Sequence, residues 1–362
     1  MHFRRVPVEE IISGPAEPLL GAVMLAPAHV GDSTIQKGTR VDAALARTLR
    51  EAAGRGLLVA PLRLGWPDPG DLHEDDAALR LASAVSGPGI AIGTPAQSRV
   101  DLTARSDGVL RVKVDRLGLV NRIDPLEIFT LFHGQAVRAG QTVGSVKVAP
   151  HLVPGAAVEA GEAVAQADRP LLNVDPYLPL EIIAIAAESL PPEGLERFDR
   201  AARTKVLSLG GRFEGTVNVA ERDPAQASRR LERVLRELAL DRRVPILLVG
   251  GVSAGDPLSP LYEALARLGG RLLRRGVPAH PGSMIWLASL EATTLLGLPQ
   301  CGMFSMATAA DLVLPRLLTG EQVTADTLAD LGHGGLLGKE MRFRFPAYAK
   351  DLEAPPVAGT HS

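Results

Sequence analysis

What this chain has little of narrows its function first. Its 362 residues contain one cysteine, Cys301, which excludes a disulfide framework and sets the expectation of a reducing compartment. Eight histidines are scattered without HxH, HExxH or CxxC spacing, so a structural zinc site lacks its usual ligand pattern. Aromatic residues are scarce at 4%, whereas 37 glycines and 28 prolines imply many turns and short elements. A formal charge of −2 offers no general basic surface for nucleic acid. No apolar run approaches a membrane span, and the opening MHFRRVPVEEII carries glutamates where a secretion signal would stay apolar. The expectation is a cytoplasmic protein with neither membrane nor nucleic acid as partner.

What remains is a globular composition, 46% hydrophobic and 22% charged, long enough for two domains and a small appendage. The chain is organised around VPILLVGGVSAGD at 244–256. Val244, Ile246, Leu247, Leu248 and Val249 read as a strand buried on both faces. Gly250 and Gly251 then let the backbone turn tightly and approach a ligand with no Cβ in the way. Ser253 supplies a hydroxyl, and Asp256-Pro257 reads as N-cap and first position of the following helix. Amides at such a helix start favour anions, phosphate above all. Taken alone the segment is neither GxGxxG nor a Walker loop, and a purely structural turn fits it as well.

Residues 1–190 read as a mixed region of short strands and helices. It includes a helix capped by Asp42, a strand at 57–62, a helix at 77–86 and strands at 109–114 and 142–148. Asp124-Pro125 reads as the start of a short helix through 132, and 181–187 as an apolar strand. A boundary falls near 190–202, followed by an α/β domain over 200–320 and a C-terminal extension over 321–362. In that domain 206–209 reads as a strand ending in Gly210-Gly211, and Asp223-Pro224 opens a helix. Strands follow at 271–277, 285–290 and 293–295, then a helix from 301 kinked at Pro315. The alternation predicts a layered α/β domain with a largely parallel sheet and ligands at the strand carboxyl ends. Gly210-Gly211, the turn from Gly250 to Asp256, Pro281-Gly282-Ser283 and the turn from Gly297 to Gly302 would then line a pocket for a large, flat, phosphorylated ligand. The tail LGHGGLLGKEMRFRFP either closes over that site or packs on the domain.

GGVSAGD, then PGSM, then GLPQCGMFSMATAADLVLPRLL resembles the molybdopterin-binding domain of molybdenum-cofactor biosynthesis proteins, in order and spacing over roughly 203–320. The family's pieces are GGVSxG, a PGKP-type turn and a GLPGNPxS turn. The resemblance implies a three-layer α/β/α domain binding molybdopterin or the molybdenum cofactor, with Mg2+ as a further expectation. The ligand-binding expectation covers Gly210, Gly211, Gly250, Gly251, Val252, Ser253, Ala254, Gly255, Asp256, Pro281, Gly282, Ser283, Leu298, Pro299 and Ser305. Three departures stand out. LGGRFEG occupies the place given to the family's TGDE turn, Ser283 replaces the PGKP lysine, and Gln300, Cys301 and Gly302 replace GNP. Groups that an insertion reaction would use are thus missing, and binding survives the comparison better than catalysis.

Each candidate has a plain structural reading beside the functional one. Asp256, the weak catalytic candidate, binds metal or caps its helix. Arg212 contacts phosphate or is solvated. Cys301 meets the cofactor or is a buried small thiol, and His280 bonds a pterin or does not. Arg229, Arg230, Arg233 and Arg236 read as a wet helix face. The leading expectation is a pterin-cofactor-binding protein serving biosynthesis, maturation or delivery to a molybdoenzyme client. The rivals are an active molybdotransferase and a regulatory or assembly module with an empty pocket; self-association into a homo-oligomer is a further expectation.

Overall fold

A computed structural model describes residues 1–14, 17–304 and 306–353. The chain forms two compact units. One comprises Met1–Ser106, Leu110–His133 and Ala139–Val174; the other takes Asp107–Val109, Gly134–Arg138 and the chain from Asp175 onward. No helix among the described residues is long and apolar enough to cross a membrane.

The first unit is built from small antiparallel sheets. Leu62–Trp66 lies between His2–Val6 and Val23–Met24. Its inward residues Leu62 and Leu64 join Val6 and the helix residues Ala46, Leu49 and Ala53 in one core. That helix, Ala43–Gly54, is capped as expected: Leu45 N–H donates to Asp42 Oδ1 at 2.8 Å. The strand expected at 57–62 begins only after Pro61, a residue with no N–H for a sheet ladder. Past Asp124-Pro125 the chain is a strand, Leu126–Thr130, and not the expected helix. Leu126 and Ile128 are buried while Glu127 and Phe129 are exposed, a period of two that no helix satisfies.

The second unit is organised by a six-stranded sheet. Its strands are β1 (Glu181–Ala186), β2 (Arg212–Asn218), β3 (Ile246–Gly250), β4 (Arg271–Arg275), β5 (Trp286–Leu290) and β6 (Thr293–Gly297), in the order β2-β1-β3-β6-β5-β4. Its helices are α1 (Pro192–Ser208), α2 (Pro224–Leu235), α3 (Pro260–Arg267) and α4 (Ala310–Leu318). Successive residues of β1 go to opposite faces. Ile182, Ala184 and Ala186 pack with Phe198, Ala202 and Val206 of α1 and Val313 and Leu317 of α4. Ile183 and Ile185 pack with Leu231 and Leu235 of α2 and Leu261 and Leu265 of α3. Helices therefore cover both faces of the sheet, and the central strand β3, ILLVG, is buried at every position because neither face meets water.

The sheet is mixed: three of its five pairings are parallel and two antiparallel. β2, β1, β3 and β6 run parallel, whereas β5 runs antiparallel to both of its neighbours, β6 and β4. The cause is local: Leu290 pairs with Thr293, and two residues can join neighbouring strands only as a hairpin. Glu291 takes a left-handed conformation there, φ 49°, as such short turns require.

A second correction concerns 206–209. These residues are not a strand but the end of α1, whose buried positions Phe198, Ala201, Ala202, Lys205 and Val206 follow helical spacing. Gly210 N–H donates to Leu207 O at 3.0 Å and Gly211 N–H to Val206 O at 3.0 Å, closing the helix end. The strand in this region is β2, which begins at Arg212. Two helices are also shorter than expected. α3 starts at Pro260 rather than Pro257, and a single tight turn, Gln300–Met303, precedes α4 at Ala310. The tail packs on the domain: Phe345 and Tyr348 are buried in the α4 side of the core.

Candidate functional site

The carboxyl ends of β1, β3 and β6 and the start of the antiparallel β5 meet at one edge of the sheet, because β3 pairs with both β1 and β6 and Trp286 stands opposite Gly297. A pocket of about 510 Å³ opens there. It is lined by Glu188 after β1, by Gly251, Val252 and Ser253 after β3, by 280–284 before β5, and by 298–301 after β6.

Two of these turns share one arrangement. After β3, Trp286 Nε1 donates to the Val252 carbonyl at 2.9 Å, and the Tyr262 hydroxyl donates to the Ser253 carbonyl at 3.2 Å. In the 281–283 turn the carbonyls of Pro281, Gly282 and Ser283 accept from Ala309 N (2.9 Å), Ile285 N (3.2 Å) and Val277 N (2.9 Å). The N–H groups of Val252, Ser253, Gly282 and Ser283 donate to nothing among the described residues. A trans peptide sets C=O and N–H on opposite sides, so tying the carbonyls of Val252, Pro281 and Gly282 back to the protein turns the N–H groups of Ser253, Gly282 and Ser283 away from those anchors. Val252 and Gly282 are buried residues that nonetheless line the pocket.

The anchors are firmly set. Tyr262 meets Trp286 edge-on, with centroids 5.5 Å apart, and the Arg275 guanidinium sits 4.6 Å from the Tyr262 ring. Burial pushes the Tyr262 hydroxyl from 10.0 up to about 12, against the opposing pull of Arg275. Gly297 fits because its missing Cβ would lie 2.1 Å from the Trp286 indole.

A second support lies behind the 298–301 turn. Lys205 of α1 and Asp311 of α4 form an ion pair with side chains only 2% and 1% exposed. Asp311 also accepts from the Tyr348 hydroxyl at 2.8 Å and from Thr308 N–H at 2.8 Å. Burial and the neighbouring Asp311 hold the Tyr348 hydroxyl well above its ordinary value. The network fixes the chain just past the pocket-lining Gln300 and Cys301, and it draws the C-terminal tail into the same unit. That tail also runs beside the pocket: His280 N–H donates to Gly335 O (2.8 Å) and Leu337 N–H to His280 O (2.7 Å).

Of the residues singled out from the sequence, Gly251, Val252, Ser253, Pro281, Gly282, Ser283, Leu298 and Pro299 line this pocket, with His280 and Cys301. Gly250 lies beneath it, where a Cβ would be 2.5 Å from Met303 Cε. Ala254 and Gly255 belong to the same turn without lining the pocket. Asp256 is exposed; its Oδ1 accepts from Leu258 N–H at 3.0 Å, so it makes a local turn rather than capping α3, whose N-cap is Ser259. Gly210, Gly211 and Arg212 stand at the opposite edge of the sheet, since Arg212 pairs with Glu181 at the start of β1. Ser305 lies outside the described residues. Among the described residues no three His, Cys, Asp or Glu side chains gather so as to hold a metal ion.

The residue missed from the sequence is Glu188. The resemblance puts the family's acidic turn after 206–209; the strand that runs into the pocket edge is instead β1, and its acid follows two residues past Ala186. The signal was present in the apolar run at 181–187 followed at once by a carboxylate. With His280 and Cys301 it completes the ionisable side chains that line the pocket, and no Lys or Arg is among them.

No protein-family model matches this sequence, and no curated protein matches it. Among solved structures, the molybdopterin biosynthesis MoeA protein from Pyrococcus horikosii aligns with 88% of this chain and 80% of its own, at 13% identity and a TM-score of 0.27. A TM-score that low says little about a shared fold, so the ground for a functional reading is the pocket itself.

Proposed function

We propose that the second unit binds molybdopterin or the molybdenum cofactor, in biosynthesis, maturation or delivery of the cofactor to a molybdoenzyme. The observation that carries this reading is the pair of pocket turns whose carbonyls are tied back to the protein while their N–H groups stay unengaged. Such N–H groups, in a pocket without Lys or Arg, suit a phosphate met by backbone dipoles. The pocket volume suits a fused heterocycle, and the turns are the segments that resemble the molybdopterin-binding family. When bound, the cofactor brings its own metal chemistry. The chain's part is to hold and orient it, with Val252, Ser253, Gly282 and Ser283 toward the phosphate and Leu298 and Pro299 against the ring.

Glu188 supplies a pocket acid, which removes one objection to a molybdotransferase. The lysine replaced by Ser283 has no substitute among the described lining residues, so binding remains the reading with more support. The test is oxidation and fluorescence detection of pterin released from the full-length protein, purified from a host that makes the cofactor. Pterin approaching one equivalent per chain is expected; its absence from folded protein would overturn the proposal.

A further inference from the structure

Glu188 is the one pocket residue whose side chain has a polar atom in an unexplained state. Its Oε1 is buried and has no hydrogen-bond partner among the described residues. The residue is held in place on two sides. Ala187 N–H donates to Gly250 O at 3.0 Å, tying the chain to the end of β3. Gly251, at φ 82°, packs so closely that a Cβ on it would lie 2.6 Å from Glu188 Cβ and Cγ and 2.7 Å from its N. Both features that make Gly251 a glycine therefore serve to seat Glu188 in the pocket wall. A carboxylate oxygen removed from water without a donor is disfavoured, and such groups normally find a proton, a cation or a donor. Among the described residues none donates to it.

Building on the pterin reading of this pocket, we infer that Glu188 reads the ligand's 2-amino-4-oxopyrimidine edge, its carboxylate accepting from the ring N3–H and the 2-amino group together. The two donors are adjacent and coplanar, as in a guanidinium, and suit the bidentate acceptance a carboxylate favours. The terminal torsion of a glutamate is soft, so a small rotation presents both oxygens to the pocket. With the heterocycle fixed by its amino edge at the end of β1, the unengaged N–H groups of the other two turns are left for the phosphate. The acid then selects pterins over rings that carry a carbonyl at position 2, because a carbonyl there would face the carboxylate oxygen to oxygen.

The test uses two probes on the full-length protein freed of endogenous pterin: 6-(hydroxymethyl)pterin phosphate and the matching lumazine phosphate, whose 2-amino group is replaced by carbonyl. Fluorescence titrations are run with EDTA and with Mg2+, on wild type, Glu188→Gln and Glu188→Ala, each checked for native thermal unfolding. Wild type is expected to prefer the pterin by about tenfold or more, as one bidentate pair commonly allows. Both variants are expected to lose most of that preference while still binding lumazine phosphate. A variant that keeps the wild-type preference overturns the inference and leaves pterin binding standing. Wild-type pterin binding that appears only with Mg2+ also overturns it, making the carboxylate a cation ligand. Wild type that binds neither probe defeats the pterin reading of the pocket and the inference together.

Discussion

Two pairs of adjacent glycines in the second unit follow short apolar runs of similar composition, yet they do opposite things. Gly250-Gly251 ends a strand at the pocket edge, and each glycine is needed because something presses on it: Met303 on one, Glu188 on the other. Gly210-Gly211 ends a helix at the far edge of the sheet; Gly210 takes φ 72° with nothing within 4 Å of where its Cβ would be. What separates the pairs is what precedes them. VLSL is the last turn of a helix whose apolar positions recur at three and four, whereas ILLV stands alone between a loop and a turn. A glycine pair marks a sharp change of direction; only the longer period before it tells whether a helix or a strand is ending.

That contrast can be broken or sharpened by substitution. The largest effect is expected at Lys205, whose burial belongs to the helical face that makes Gly210-Gly211 a helix end. Lys205→Met leaves Asp311 buried without its cation and should cost about 3–5 kcal/mol in denaturant unfolding. Next comes Gly251→Ala, which meets both left-handed backbone strain and the Glu188 backbone, for a loss of about 2–4 kcal/mol by the same assay. Gly297→Ala, pressed by the Trp286 ring, should cost about 1–3 kcal/mol and shift the tryptophan emission. Gly210→Ala pays for conformation alone, about 1 kcal/mol, and should leave pterin binding intact. A Gly210 effect equal to that of Gly251 would erase the distinction.

An effect confined to alkaline pH is expected at the anchor of the β3 turn. The folded hydroxyl of Tyr262 titrates at about 12, above its ordinary 10.0, so folding favours its neutral form. The associated stability is complete below pH 10 and is lost as pH rises from there through 12. Tyr262→Phe should lack this alkaline loss, and thermal unfolding across that range, compared with wild type, checks it.

Much of the second unit was legible because its strongest signals are local. The apolar run at 246–250, the Asp223-Pro224 helix start and the paired strands around 290–293 all depend on neighbours in sequence. The pocket turns at 251–253, 281–283 and 298–299 were legible as motifs, and the fold brings them to one edge. What was missed depends on distant partners. Whether 206–209 is helix or strand turns on α1 packing under β1. Glu188 was hidden by that first error, since an acid is found at a strand end only once the right strand is known. Asp256-Pro257 shows the converse, a good helix-start pair that three-dimensional packing places in a turn ahead of the helix.

The single cysteine offers the most direct test of the central claim. Cys301 is exposed and lines the pocket, so its alkylation, read by intact mass, reports on that pocket without a competing thiol. If the pocket holds a phosphorylated pterin, 6-(hydroxymethyl)pterin phosphate should slow alkylation of Cys301 several-fold, with a concentration dependence matching its fluorescence titration. An alkylation rate that stays the same while the pterin is bound would place the ligand elsewhere and contradict the account.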